Sequence, residues 1–109
     1  NIKDDNYYLE KIISDLQFVV DHTKNKKKEE IEKDEVLLDS VMFRIIQVAE
    51  NSSKLTDNFK NSHGEIPWYA IRGMRNNLVH DYGRVRLDIV FDTVKVGIPQ
   101  MLELLKGIQ

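Results

Sequence analysis

The stretch D-E-V-L-L-D-S-V-M-F-R-I-I-Q-V-A-E-N-S-S-K-L, residues 34–55, carries Leu37, Val41, Ile45, Val48, Ser52 and Leu55 at steps of four and three. That period is one face of an α-helix. At ~1.5 Å per residue the helix would be about 33 Å long, enough to span a small domain. Arg44 lies three after Val41 and four before Val48, so its stem shares the inward face and its charged head must find a partner or snorkel outward. It reads either as half of a structural ion pair or as a residue that orients a functional site. Glu50 is the other polar residue of interest on this helix.

Working outward, the residues before this stretch show the same period. From Asp4 to about His22, the side chains of Tyr8, Leu9, Ile12, Ile13, Leu16, Val19 and Val20 recur at three- and four-residue steps. Asp4 and Asp5 suit the start of that helix, where the macrodipole favours negative charge, and His22 suits its end. Between the two helices, Thr23 to Lys33 is almost purely charged. Lys24, Lys26, Lys27 and Lys28 are largely offset by Glu29, Glu30 and Glu32, so the run reads as a solvated turn or helix end. After Leu55, Thr56 to Ile66 is rich in Asn, Asp, Ser and Gly and reads as a loop. His63 within it is expected to be merely exposed.

Pro67 opens a third, shorter helix that runs to about His80, because proline is tolerated in the first turn. A fourth is expected from about Arg86 to Gly107 on the spacing of Leu87, Val90, Phe91, Val94, Ile98, Met101 and Leu105. Pro99 cannot donate to the preceding turn, which predicts a kink near Lys95 to Ile98. Gly97 on the same stripe is expected to let a neighbouring helix approach closely. The reading is all-α: an antiparallel bundle of four main helices, with room for a short extra one, in a single domain over residues 1–109.

Bulk properties agree with that reading. A chain of 109 residues with 41% hydrophobic and 31% charged side chains suits one soluble globular domain. With no cysteine, disulfides, thiol catalysis and cysteine-based zinc sites are excluded, and with three scattered histidines no metal site is expected. No cofactor is expected. Apolar runs are far shorter than the ~20 residues of a membrane span, and no signal-peptide pattern is visible, so no membrane association and a cytoplasmic location are expected. A net charge of -2 argues against a broad electrostatic binder of nucleic acid; any RNA must be met by a local patch.

That patch is W-Y-A-I-R-G-M-R-N-N-L-V-H-D-Y-G-R-V-R, Trp68 to Arg86, which holds four of the five arginines: Arg72, Arg75, Arg84 and Arg86. Arginine presents a planar fork that matches phosphate oxygens, and histidine can give or take a proton near neutral pH. Phosphodiester chemistry follows as the candidate activity, with Arg75 and His80 as its centre and Arg72, Arg84 and Arg86 as RNA-phosphate contacts. On a regular helix Arg75 and His80 lie about 140° apart. Either the helix unwinds near His80, which Asp81 and Gly83 would permit, or a second copy of the chain completes the site. Cleavage through the ribose 2′-hydroxyl needs a base, an acid and positive charge on the phosphate, and a twofold dimer would bring two histidines and two arginines.

The run Arg75-Asn76-Asn77-Leu78-Val79-His80-Asp81-Tyr82, with Ile66-Pro67-Trp68 upstream, Arg44 and Glu50 on the second helix and Ile98-Pro99 late in the chain, resembles the HEPN superfamily and, within it, the HepT-like toxins of toxin–antitoxin pairs. The resemblance implies an all-α homodimer acting on an RNA substrate as a metal-independent endoribonuclease toxin of a type VII-like module. His80 would be the general acid and base, Arg75 the phosphate clamp and Asn76 its polar neighbour, with Arg44 and Glu50 in orienting or structural roles. It further implies a cognate MntA-like nucleotidyltransferase antitoxin that transfers AMP to the motif tyrosine, here Tyr82. The alternative is a non-catalytic HEPN subunit that binds nucleotide or docks a nucleotidyltransferase. The sequence departs from the family pattern in having Arg86 where an acidic residue is frequent and Ala49 before Glu50.

Overall fold

The computed structural model describes residues 3–80 and 91–108, with the side chains of residues 74 and 77–80 left aside. Every regular element among them is helical. The first, α1 (Asp5–Thr23), begins where Asp4 caps it: the Tyr7 N–H donates to Oδ1 of Asp4 at 3.0 Å. This satisfies one of the donors a helix start leaves open. Leu9, Ile12, Leu16 and Val19 are the buried face of the expected stripe.

The charged run after α1 contains an element that its composition conceals. α2 (Lys28–Lys33) is a six-residue helix whose Ile31 is buried, and Oε1 of Glu30 accepts from the Lys27 N–H at 3.0 Å to close its first turn. The expected solvated turn is therefore a short helix pinned by one apolar side chain.

α3 (Glu35–Ser53) is the element against which α1, α2 and α5 all pack. Asp34 caps it by accepting from the Leu37 N–H at 3.0 Å. Two contacts set α1 and α3 antiparallel. Arg44 Nη1 lies 2.7 Å from Oδ1 of Asp15 near their middles, and Asp5 at the start of α1 accepts from both the N–H and the hydroxyl of Thr56, at 2.8 and 2.7 Å, just beyond the end of α3.

The segment read as a loop also contains a helix, α4 (Asp57–Ser62), capped by the Thr56 hydroxyl, which accepts from the Phe59 N–H at 3.2 Å. α5 (Trp68–His80) follows Pro67 as the sequence predicts. Its first turn is anchored by Trp68, whose indole Nε1 donates to the His63 carbonyl at 3.1 Å while its ring stands 6.4 Å from that of Phe59.

Near the chain end a π-helical turn (Thr93–Gly97) leads into α6 (Ile98–Ile108). A π turn stands at the place where the kink is expected. The Ile98 N–H bonds to the Thr93 carbonyl five residues back, a widened ladder that suits a helix about to meet Pro99, which has no N–H to offer. Lys95 Nζ reaches from this turn to the Thr23 carbonyl at 2.5 Å, so the end of α1 meets the entry to α6. The role expected for Gly97 is corrected for the described residues: a Cβ placed there meets nothing within 4 Å among them, so none of the described helices presses on it. Residues 86–90 of the expected fourth helix lie outside the described residues.

One continuous core joins these elements. Ile12, Leu16 and Val19 of α1, Val41, Ile45 and Val48 of α3, Ile71 of α5 and Ile98 and Leu105 of α6 are each at most 1% exposed. Burying such a side chain contributes about 1.5–3 kcal/mol, so α1 and α3 form the rigid base on which α5 is mounted.

Candidate active site

The site is assembled where α5 crosses the second half of α3. Ile71 is buried against the core, which fixes the rotation of α5: Arg72 and Asn76 are exposed, and Arg75, one turn after Ile71, is on the side that meets α3. Arg75 is half-buried, and its guanidinium faces Glu50 of α3. Nε and Nη2 both lie 2.9 Å from Oε1 of Glu50, and Nη1 donates to Oδ1 of Asn76 at 3.2 Å. Three donor atoms of one fork are therefore held by two side chains, and the guanidinium plane is oriented before any substrate arrives.

Around this pair lies an open pocket of about 440 Å³. Its lining includes Ala49, Glu50 and Ser53 of α3, Lys60 of α4 and Trp68, Tyr69, Arg72 and Asn76 of α5. Among the described residues its charged lining is three cations against one carboxylate. Arg75 is tied to that carboxylate, whereas Arg72 and Lys60 make no ion pair among the described residues. The pocket can receive an anion.

Not every candidate residue converges here. Arg44 lines no part of the pocket: it pairs with Asp15, and its guanidinium carbon stands 4.0 Å from the centre of the Phe18 ring. Its charge is satisfied within the α1–α3 interface. His22 is spoken for as well, since its ring stacks on Phe18 at 4.0 Å and Nδ1 lies 2.8 Å from the Phe18 carbonyl oxygen. His63 packs its ring on Phe59 at 4.7 Å and sits 3.6 Å from the Glu65 carboxylate.

α5 continues as a regular helix to His80, so no unwinding separates Arg75 from His80 in the backbone. The His80 side chain, and Tyr82, Arg84 and Arg86 altogether, lie outside the described residues. Among those residues no group of three His, Asp or Glu side chains is arranged to hold a metal ion, and no helix is long and apolar enough to cross a membrane.

Two pocket residues escape a reading of the sequence alone. Lys60 lies in a segment whose composition suggests a loop, and Tyr69 stands beside the more distinctive Trp68. A signal for Tyr69 is nevertheless present: positions 69, 72 and 76 share one helix face.

Fold and site together define an all-α helical bundle that presents arginines at a pocket beside α3. Comparison with known proteins agrees. A family model described as Ribonuclease HepT-like matches residues 11–108. A protein of Caldanaerobacter subterraneus subsp. tengcongensis, provisionally named an RNase, is 31% identical, the match covering 93% of this chain and 90% of that one. A protein of Thermococcus cleftensis provisionally named ribonuclease HepT is 30% identical over 86% of each chain. A Methanocaldococcus jannaschii protein named as a gamma-glutamylcyclotransferase and, provisionally, an RNase is 30% identical over 93% of this chain but only 46% of its own length. No solved structure matches. The chain belongs to the Ribonuclease HepT-like family.

Proposed function

We propose that this protein is a metal-independent endoribonuclease whose active site forms between two copies of the chain. The observation that carries the proposal is the clamp on Arg75: a guanidinium oriented by Glu50 and Asn76 at the rim of a cationic pocket, on a helix that continues unbroken to His80. Because a regular helix sets Arg75 and His80 of one chain about 140° apart, a twofold mate is the direct way to bring an arginine and a histidine over one phosphate.

In this mechanism the ribose 2′-hydroxyl attacks the adjacent phosphorus as one His80 removes its proton. The bond to the 5′-oxygen breaks, and that oxygen takes a proton from the second His80. The products are a 2′,3′-cyclic phosphate and a 5′-hydroxyl end. Arg75 stabilises the charge that builds on the non-bridging oxygens, an effect worth about 10²–10³ in rate for a single well-placed donor. Arg72, Arg84 and Arg86 are assigned to flanking phosphates.

Regulation follows the family resemblance. The protein acts as the toxin of a toxin–antitoxin pair, and a nucleotidyltransferase antitoxin transfers AMP from ATP to the phenolic oxygen of Tyr82, releasing pyrophosphate. A bulky anion two residues from His80 would obstruct and repel RNA. Protein coexpressed with such a partner is expected to gain the mass of one or more adenylyl units, mapped to Tyr82.

The enzymatic reading is tested by incubating RNA with purified protein in EDTA. Wild type should cut and leave cyclic phosphate ends, while Arg75→Ala and His80→Ala should lose about 100-fold or more in rate. Equal cleavage by all three would mean a contaminating nuclease. Tight binding of a nucleotidyltransferase with no turnover would favour the non-catalytic docking subunit instead.

A further inference from the structure

The pocket extends past Arg75 towards the start of α5, where Trp68 and Tyr69 line it. Three side chains there have no task in the chemical step. Tyr69 is 85% exposed, an unusual state for an aromatic in the first turn of a helix whose neighbour Trp68 is packed and hydrogen-bonded. Arg72, one turn along the same face, is exposed and makes no ion pair among the described residues. Lys60, on α4 across the pocket, is half-buried and equally unpaired among them.

An exposed aromatic ring that shares a pocket with two cations making no ion pair among the described residues is the chemistry that holds an unpaired nucleotide. The ring stacks the base irrespective of its identity, and the cations take the phosphates. The volume of about 440 Å³ is in the range of small-ligand pockets. Along the helix axis Tyr69 and Arg75 are about 9 Å apart, the scale of neighbouring nucleotides on an unstacked strand.

We propose that Tyr69, Arg72 and Lys60 form a binding subsite for single-stranded RNA, which stacks the base next to the scissile linkage on Tyr69 and holds its phosphate between Arg72 and Lys60. The subsite rests on the ribonuclease reading, since Arg75 must mark the cleavage point. It makes the enzyme specific for unpaired RNA, because a base held in a duplex cannot present its face to the ring.

The test separates binding from cleavage. A fluorescent 2′-fluoro RNA oligomer of mixed sequence lacks the attacking hydroxyl, so its affinity is measurable by anisotropy whether or not the protein is a nuclease. Tyr69→Ala is expected to weaken binding about tenfold or more, Tyr69→Phe less than about threefold, and the same sequence in a duplex should bind about tenfold more weakly. Replacing Arg72 or Lys60 by alanine should make the salt dependence of log affinity shallower by about 0.7 for each phosphate no longer neutralised.

Circular dichroism checks that each variant is folded, which the exposure of Tyr69 makes the expected result. Loss of affinity in Tyr69→Ala from a protein that binds but never cuts RNA would support the subsite while removing the ribonuclease reading. The inference is overturned if wild type cuts RNA yet Tyr69→Ala binds as tightly as wild type. It is equally overturned if wild type binds no RNA, or if Tyr69→Ala turns a dimer into a monomer, which would place Tyr69 in a contact between copies.

Discussion

Arg75 is held by a carboxylate that competes with any phosphate for it. Nε and Nη2 both meet Oε1 of Glu50, but the two side chains are 34% and 42% exposed, so water screens the pair and its net stabilisation is of the order of 1 kcal/mol. Its value is in orientation. Glu50→Gln is therefore expected to leave the fold intact and lower the cleavage rate by less than Arg75→Ala, and the double variant should be no worse than Arg75→Ala alone. Steady-state rates on one RNA decide this, and additive losses would show Glu50 acting independently of Arg75. Arg44 provides the contrast. Its partners are Asp15 and the Phe18 ring, both on α1, so Arg44→Met should lower stability by about 1–2 kcal/mol in denaturant titration and leave kcat unchanged. At this scale the sequence displays the residue types but not their pairing: nothing in the spacing says that Arg75 takes Glu50 or that Arg44 takes Asp15, because those contacts are made across helices.

The long helices are legible because each buries a stripe over several turns, and a period of 3.6 residues is visible only over such a length. α2 and α4 have six residues and one apolar anchor apiece, Ile31 and Phe59, so no period exists to be read; their only local signs are the caps at Glu30 and Thr56. Thr56 caps α4 with its hydroxyl oxygen and donates twice to Asp5, so it ties the end of α3 to the start of α1. Thr56→Ala should cost about 1–2 kcal/mol of stability in denaturant unfolding, and a loss under about 0.5 kcal/mol would mean that water replaces the hydroxyl. The π turn is half legible, since Pro99 announces an interruption but not its form. A Cβ at Gly97 would meet nothing among the described residues, so Gly97→Ala should be neutral or stabilise by up to about 1 kcal/mol; a clear loss of stability would restore the close approach that the sequence suggests.

At the scale of the whole molecule, the shared active site is a proposal about how two copies of the chain meet. α1 and α3 form the base, α5 lies on α3, and on a regular helix such as α5 positions 75 and 80 are about 140° apart around the axis. That angular separation is the reason we propose a site completed by a second copy of the chain. The most direct measurement is subunit complementation. Arg75→Ala and His80→Ala proteins, each inactive, are mixed, and heterodimer formation is verified by native mass spectrometry before RNA cleavage is assayed. The intact arginine and the intact histidine of such a heterodimer are on different chains. Activity well above either parent is expected if they meet across the interface; a verified heterodimer as inactive as its parents, beside an active wild type, would contradict the shared site.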